Sequence, residues 1–525
     1  MNPSPRREYN PTPAAGGASD QVYATENINR AIVKGSLWMI LGRMGDRSLG
    51  FVSTLILVRL LAPADFGLVA MAGTVIALCE LLGQVGLDVA LIQNPRANRL
   101  HYDTAWTFTI ILATITAVAL VLLADPAARF YGEPRLVPIL LALAAASLIS
   151  GFENIGIIAF RKTLRFDKEF QFVFGKKIAG FLITVPLAFM LRSYWALVAG
   201  IIGGRLAGVC LSYFVQEYRP RLSLGARQEL FHFSKWMVIS NIAVVFYSRA
   251  AQFFVGKIVG AHALGVFSVS YELSNLPTSE LTAPINRAVY PGYARKAAEG
   301  TPLKDAYLDV FSIMVAFGVP MGVGIAATAG ILIPLLLGPQ WTEAIPVVEI
   351  LAIYGVFAVM RSNANYVYLA EGKPYIATYL AIGLILLLLP ALAVLCREYG
   401  TIGAAYAFLG TDAVSVLINF AVLYKVLDVT VREILGTLWR PVLSSALMFA
   451  IVRVVPQLSL EPYDKLAGLI HLVAVIASGG VAYLGCLYAL WIMAARPVGA
   501  ESRFVGFVQS AKCQLWFRSV SGFSR

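Results

Sequence analysis

Charged residues are scarce in this chain, and their scarcity excludes an ordinary soluble domain. Asp, Glu, Lys and Arg make up only 14% of the 525 residues, against about 25% in typical soluble domains. Hydrophobic residues make up 58%, which is more than a soluble core can bury. A bilayer accommodates this much apolar surface when each crossing is a helix of about twenty apolar residues, because a helix satisfies its own backbone hydrogen bonds.

Residues that carry catalytic or metal chemistry are also sparse. The five cysteines have neither metal nor redox spacing, and their odd number argues against a disulfide framework; they are Cys79, Cys210, Cys396, Cys486 and Cys513. The four histidines share no helical face by spacing, and no zinc, haem or phosphate-cradling motif is present. We therefore expect a protein that is not an enzyme, and we expect no cofactor and no bound metal.

Hydropathy predicts an all-α polytopic membrane protein with about fourteen transmembrane helices. The predicted spans begin near residues 35, 67, 104, 136, 176, 195, 236, 262, 308, 344, 375, 401, 440 and 466. Residues 1–34 are rich in Pro, Gly and Ala, which predicts a disordered cytoplasmic tail. Residues 496–525 form a basic cytoplasmic tail whose aromatic residues suit the membrane surface.

The basic residues divide unevenly between the two sides of these spans. The net charge is +12, and in a membrane protein such an excess records which loops stay cytoplasmic better than it indicates a nucleic-acid partner. With a cytoplasmic N-terminus, 29 of the 42 basic residues fall on the inside and 8 on the outside. A wrong helix count would scramble this bias, so we expect both termini in the cytoplasm of a bacterial inner membrane.

An internal repeat joins the first span to the seventh. Residues 198 positions apart match, as in Arg59 with Lys257 and Gly67 with Gly265. Further matches are Ser36 with Ser234, Trp38 with Trp236, and Met39 with Met237. Six helices separate the copies, so the copies face the same way and are related by an axis along the membrane normal. This predicts two six-helix lobes, residues 35–217 and 218–425, followed by two extra helices in residues 426–495.

Several motifs resemble those of a known transporter family. The clearest is Leu57-Val-Arg-Leu-Leu-Ala-Pro-Ala-Asp-Phe-Gly-Leu-Val-Ala70, followed by Gly86-Leu-Asp-Val-Ala-Leu-Ile92 and Ala159-Phe-Arg-Lys-Thr-Leu-Arg-Phe166. Ala263-Leu-Gly-Val-Phe-Ser268, Pro291-Gly-Tyr-Ala-Arg295 and Gly338-Pro-Gln-Trp-Thr-Glu-Ala344 continue the series. In this order they resemble the polysaccharide transporter family, the O-antigen flippase branch of the multidrug/oligosaccharidyl-lipid/polysaccharide exporter superfamily.

This resemblance implies a flippase with a lipid-linked oligosaccharide substrate. Members of the family that this chain resembles move undecaprenyl-pyrophosphate-linked repeat units across the bacterial inner membrane for lipopolysaccharide or exopolysaccharide synthesis. A polysaccharide polymerase and a chain-length regulator are the protein partners it implies. The rival hypotheses are a drug or metabolite cation antiporter of the same superfamily and, more remotely, a membrane-embedded polysaccharide polymerase or ligase.

Ionisable residues inside the spans are the candidate site residues, because a charge in hydrocarbon needs a cavity or a partner. In the first span, Arg43 and Arg47 are four residues apart on one face, with Asp46 beside them. Two cations against one anion favour an anionic ligand such as pyrophosphate, although Asp46 could simply neutralise one arginine or both arginines could reach the interface.

Polar stripes on other spans complete the predicted cavity. Glu80, Gln84 and Asp88 follow one another at helical spacing in the second span, with Glu80 the deepest. For substrate binding we select Arg43, Arg47, Arg249, Arg361, Asn241, Gln252 and Asn275. For coupling to an ion we select Asp46, Glu80 and Glu272. A packing role is the better interpretation for Arg205, which stands among glycines.

Overall fold

The protein is built from α-helices that run the length of the chain. The computed structural model describes residues 42, 44–81, 86–94, 96–163, 165–227, 245–454, 465–497 and 499–503, and these contain no β-strand. In the first half the helices are α1 (44–60), α2 (Pro63–Glu80), α3 (Leu87–Gln93), α4 (Arg99–Tyr131), α5 (Leu136–Ser150), α6 (Ile158–Lys162), α7 (Phe166–Leu191) and α8 (Trp195–Val215). In the second half they are α9 (245–258), α10 (Ala261–Ala298), α11 (Lys304–Leu336), α12 (Ala344–Ser362), α13 (Ala364–Ala370), α14 (Pro374–Leu427), α15 (Val431–Val454) and α16 (Lys465–Met493).

These helices make the chain a polytopic membrane protein. Among the described residues, nine helices are long and apolar enough to cross a bilayer, or ten if α5 and the bent segment after it form one span. One of the nine, α14, has 54 residues and breaks at Gly400 (φ 58°, ψ −132°), where the sequence predicts two separate spans. The described parts of α1 and α9 begin at the limits of the described ranges, so the count of fourteen stays a prediction.

The helices pack as two groups and an appendage. In the first group α4 packs on α5, α7 on α8, and α5 on both α2 and α8, while in the second group α12 packs on α10, α11 and α14. The two groups meet mainly where α2 packs on α10, and α15 and α16 pack on α11. This is the predicted architecture of two lobes with two extra helices, although the residue limits of the lobes and tails stay predictions. The predicted N-terminal tail, residues 1–34, and residues 504–525 lie outside the described residues.

The segment that leaves α8 is tied back to the first lobe. The Asp103 carboxylate on α4 accepts hydrogen bonds from the Tyr218 hydroxyl (2.6 Å) and from the Arg221 backbone N–H (2.8 Å). One turn further along α4, the Thr107 hydroxyl accepts a hydrogen bond from the Ser223 backbone N–H (2.9 Å). The first part of the connection between the lobes therefore moves with the first lobe.

The polar stripe predicted on the second span is wrong as a continuous helical face. The helix α2 ends at Glu80, and Gly86 has a left-handed conformation (φ 67°) just before α3 begins. Such a backbone turn suits glycine and resets the direction of the chain. Asp88 therefore belongs to a separate short helix, where it lies 3.9 Å from the Arg161 guanidinium, and Gln84 lies outside the described residues.

Candidate functional site

One end of the bundle, which we call the closed end, carries the α1–α2 turn (61–62) and the α9–α10 turn (259–260). Two repeat-related glycines bring α2 and α10 into backbone contact there. A Cβ added at Gly67 would lie 1.7 Å from the Ala261 carbonyl oxygen, and one added at Gly265 would lie 1.8 Å from the Pro63 carbonyl oxygen. Gly67 and Gly265, like Pro63 and Ala261, are 198 positions apart. The contact is therefore symmetric under the repeat, and neither glycine can carry a side chain while it exists.

Two repeat-related cations cross between the lobes at the closed end. Arg59 donates from Nε to the Leu336 carbonyl (2.9 Å) and makes a second bond to the Leu335 carbonyl, at the end of α11. Lys257 donates to the Phe130 carbonyl near the end of α4, and its ammonium lies 4.8 Å from the Phe130 ring centre. Helix C-termini present unsatisfied carbonyls and a partial negative charge. Each cation thus stabilises a helix end of the opposite lobe.

Apolar side chains of both lobes fill the space between these polar contacts. Val58 of α1 and Val255 and Leu264 of α9 and α10 are fully buried in one cluster. Trp341 donates from Nε1 to the Val58 carbonyl (2.7 Å) and packs edge-on against Phe66, with ring centres 5.5 Å apart. The closed end is therefore sealed by packed side chains as well as by the glycine contact.

Further from the closed end, Asp46 of α1 pairs with a lysine near the start of the span predicted at residue 176. The Lys177 ammonium lies 2.6 Å from the Asp46 carboxylate and also donates to the Asp46 carbonyl. The helix α7 begins at Phe166, ten residues before the predicted span, so Lys177 lies well inside it. The Asp46 charge is thus neutralised across two helices and does not depend on the arginines beside it.

Arg47 reaches across the space between the lobes. Its Nε lies 3.0 Å from the Glu280 carboxylate on α10. The fields of Arg47 and Lys177 both act on Glu272, two turns closer to the closed end on the same helix. The described part of this cluster therefore holds two cations and three carboxylates. The excess of positive charge that the sequence analysis expected here is therefore absent among these residues, and Arg43, which lies outside the described residues, would only make the two counts equal.

Arg249 of α9 is the cation that remains available. It makes no hydrogen bond or ion pair with any residue that the structure describes. On the same helix, the Gln252 Oε1 atom is buried and has no hydrogen-bond partner among those residues. Asn241, the other candidate from this span, lies outside the described ranges and stays a prediction.

Glu80, the candidate for ion coupling, is held in a cluster within the first lobe. Arg205 donates to the Glu80 carboxylate (2.9 Å) and to the Ser147 hydroxyl (2.8 Å). Glu80 and Ser147 line a cavity of about 510 Å³ between α2, α4 and α5. Arg205 is therefore an ion-pair partner as well as a packing residue, and it neutralises Glu80 in this conformation.

Arg361, a candidate from the second lobe, pairs with a carboxylate of α14. Its Nε lies 3.2 Å from one oxygen of Asp412, and its Nη2 lies 3.4 Å from the other. The Asp412 side chain is 1% exposed, so the pair is buried. Arg361 and Asn365 line two cavities, one of about 370 Å³ that also contains Asn275 and one of about 200 Å³. Tyr368, about one turn after Asn365 on α13, donates to the Asn419 amide oxygen (3.3 Å).

Sequence reasoning missed Lys177, Glu280 and Asp412. Lys177 lies near the start of one predicted span and Asp412 within another, and hydropathy alone does not show that either has a charged partner on another helix. A signal for Glu280 is its spacing of eight residues from Glu272, which is about two helical turns.

The Arg47–Glu280 bridge predicts that the lobes are close at this point. In a variant that lacks the native cysteines, Cys at positions 47 and 280 should be joined rapidly by a short bifunctional maleimide. The matched control is Cys at 52 and 280, because Val52 is exposed on a different face of α1. The measurement is the mobility of the cross-linked chain after cleavage between the lobes, and equal yields for both pairs would contradict the bridge.

The sequence was compared with known families and proteins. Residues 56–346 match the profile of a family described as polysaccharide biosynthesis protein. The lipopolysaccharide biosynthesis protein WzxC of Escherichia coli (strain K12) is 23% identical over 420 residues, covering 79% of this chain and 85% of WzxC. The succinoglycan biosynthesis transport protein ExoT of Rhizobium meliloti (strain 1021) is 25% identical over 335 residues, covering 63% of this chain and 67% of ExoT.

The fold also matches a solved structure. The lipid II flippase MurJ, in an inward closed conformation, superposes with a TM-score of 0.69 and 11% sequence identity. The superposition covers 88% of this chain and all of the MurJ chain. At this identity the likeness shows the fold alone, which is the two-lobed helical bundle built above from the contacts.

Proposed function

Because the chain belongs to the polysaccharide biosynthesis protein family, we propose that it moves undecaprenyl-pyrophosphate-linked oligosaccharide repeat units across a bacterial inner membrane. The observation that carries the proposal is the pair of repeat-related lobes, sealed at one end by side chains and lined with ionisable groups beyond that seal. Relatives named for lipopolysaccharide synthesis and succinoglycan transport support this substrate class over the cations of a drug antiporter.

The proposed mechanism is alternating access between the two lobes. From the positive-inside bias we expect both termini in the cytoplasm, and the closed end would then face the periplasm. The structure then represents a state that is closed towards the periplasm. In this state the substrate would enter from the cytoplasmic leaflet. Rocking of the lobes would separate Gly67 from Ala261 and Gly265 from Pro63, and would release the substrate outwards.

Arg47, Arg249 and Arg43 are the groups we assign to the pyrophosphate. Arginine suits this ligand because its planar guanidinium makes bidentate contacts to phosphate oxygens and stays charged at every physiological pH. Arg249 lacks a partner among the described residues, and Arg47 holds Glu280 with nearly half of its side chain exposed. An arriving pyrophosphate would replace Glu280 on Arg47 and thereby loosen the bridge between the lobes.

We assign coupling to a proton or a metal cation to Glu272, Asp46 and Glu80. Asp46 and Glu80 already hold Lys177 and Arg205, so either could take up a cation only after its partner moves. Glu272 makes no ion pair with the described residues. Of the three carboxylates it is therefore the one that can take up a cation without first separating from a described partner.

Deletion of the gene in the producing bacterium tests the proposed function. We expect surface polysaccharide to disappear and lipid-linked repeat units to accumulate, because synthesis continues on the cytoplasmic leaflet. Antibody or lectin staining measures the first, and mass spectrometry of extracted lipids measures the second. Plasmid-borne wild-type protein should reverse both, whereas heightened drug sensitivity with unchanged polysaccharide would contradict the flippase and favour the antiporter. A polymerase and a chain-length regulator are the partners we propose.

A further inference from the structure

Two kinds of polar side chain follow neighbouring faces of α10. The acidic residue Glu280 lies 3.0 Å from Arg47 of the first lobe. The uncharged residues Asn275, Ser279 and Thr282 line the 370 Å³ pocket against α12 and α13. Positions 279 and 280 are adjacent, so Ser279 and Glu280 point about 100° apart around the helix. One helix therefore offers a charged surface and a neutral polar surface side by side.

The pocket on the neutral surface is rich in groups that both donate and accept hydrogen bonds. The lining from α12 and α13 adds Ser362, Asn365 and Tyr366. The Asn365 side chain makes no hydrogen bond with the described residues. Asn275 donates from Nδ2 to the Tyr271 carbonyl (3.0 Å), which leaves its amide oxygen available as an acceptor. Carboxamides and hydroxyls of this kind match the hydroxyl groups of a sugar ring, which also donate and accept.

The single charge that lines this pocket is neutralised behind it. Asp412 contacts the Nε and Nη2 atoms of Arg361, so one edge of the guanidinium is occupied and the Nη1 donors remain. The pair has no net charge and fixes the plane of the guanidinium. Such a pocket presents an oriented donor without the excess positive charge that a pyrophosphate requires.

We propose that this pocket binds sugar rings of the lipid-linked oligosaccharide, while the pyrophosphate is bound at Arg47 and Arg249. The proposal rests on the proposed function and adds to it a division of the substrate between this pocket and the arginines of α1 and α9. The volume of about 370 Å³ lies at the lower end of the range of roughly 300–1,000 Å³ for ligand pockets. It therefore fits a part of the oligosaccharide and leaves the lipid outside.

Equilibrium binding to the purified full-length chain tests the division. The two probes are the lipid-linked repeat unit extracted from the producing cells and undecaprenyl pyrophosphate without sugar. We expect Asn365→Leu and Asn275→Leu each to weaken binding of the first probe by about tenfold. Each change removes the hydrogen bonds of one carboxamide, which together contribute roughly a factor of ten to the affinity. Binding of undecaprenyl pyrophosphate should change by less than about twofold.

The matched control is Thr378→Val, a nearly isosteric change on an exposed part of α14 that should alter neither affinity. Its hydroxyl bonds only to the Pro374 carbonyl of its own helix (3.4 Å). Unchanged binding of both probes in the Asn365 and Asn275 variants would overturn the sugar pocket and leave the proposed function intact. Equal weakening of both probes would overturn the division of the substrate. A wild-type chain that binds neither probe would overturn the proposed function and this proposal with it.

Discussion

Gly67→Ala is expected to abolish polysaccharide export and to hold the protein open towards the periplasm. The added Cβ would lie 1.7 Å from the Ala261 carbonyl oxygen. Because the obstacle is backbone, no side-chain rearrangement can relieve the clash, and α2 must move away from α10. Gly265→Ala should have the same effect through the Pro63 carbonyl, since the repeat relates the two contacts.

Gly73→Ala is the matched control for this prediction. Gly73 lies on the same helix, and a Cβ added there meets nothing within 4 Å. Alanine is the better helix former by about 1 kcal/mol, so this variant should fold and export normally. The pair of variants thus separates the effect of the closed contact from that of a methyl group in α2.

Sided thiol labelling measures the opening directly. In a chain without its native cysteines, Val255→Cys places a thiol at a fully buried position of the closed end. A membrane-impermeant maleimide added outside intact spheroplasts should label this thiol slowly in the parent and rapidly when Gly67→Ala is added. Normal export in Gly67→Ala, with the thiol still protected, would show that the glycine contact does not form in the working protein.

Arg249→Ala should have the second large effect, a fall in export of roughly tenfold to a hundredfold. The estimate follows from the loss of charge-assisted hydrogen bonds worth about 1.5–3 kcal/mol. Arg249 has no partner among the described residues, so its removal leaves none of the described carboxylates unpaired and the protein level in the membrane should stay normal. Arg249→Lys should impair export only partly, because lysine keeps the charge and loses the bidentate geometry.

Arg47→Ala should reduce export similarly but for two reasons. It removes a proposed phosphate ligand and also frees Glu280, so its effect is less easily assigned than that of Arg249→Ala. Arg397→Ala provides the control for both, because Arg397 is exposed at the far end of the first half of α14. Export that is normal after Arg43, Arg47 and Arg249 are all changed to Ala would remove the pyrophosphate site from the account. Surface polysaccharide per cell, corrected for protein level, is the measurement.

Much of the fold could be predicted from local sequence pattern. Apolar runs located the spans because a membrane helix must present about twenty apolar residues whatever its neighbours are. The offset of 198 residues related Gly67 to Gly265 and Arg59 to Lys257, and these pairs occupy equivalent positions at the closed end. What the repeat could not predict was that each member contacts the other lobe, because sequence equivalence carries no information about distance.

The candidate site was less predictable because its partners come from distant parts of the chain. Asp46 lies beside Arg47 in sequence but pairs with Lys177, and Arg361 pairs with Asp412. Helical spacing predicts which residues share a face, and it says nothing about the residue that faces them from another helix. The break at Gly86 escaped the same reasoning because a single left-handed residue leaves the hydropathy profile almost unchanged.

Transbilayer movement in proteoliposomes tests the central claim most directly. Purified protein is reconstituted with lipid-linked repeat units whose terminal sugar is accessible to an impermeant enzyme only in the outer leaflet. With the wild-type chain, the sugars of both leaflets should become accessible over time, whereas Gly67→Ala liposomes and protein-free liposomes should stop at the outer-leaflet fraction. If liposomes with the wild-type chain also stop at the outer-leaflet fraction, as the Gly67→Ala liposomes do, the chain does not move the lipid-linked repeat unit and the account is contradicted.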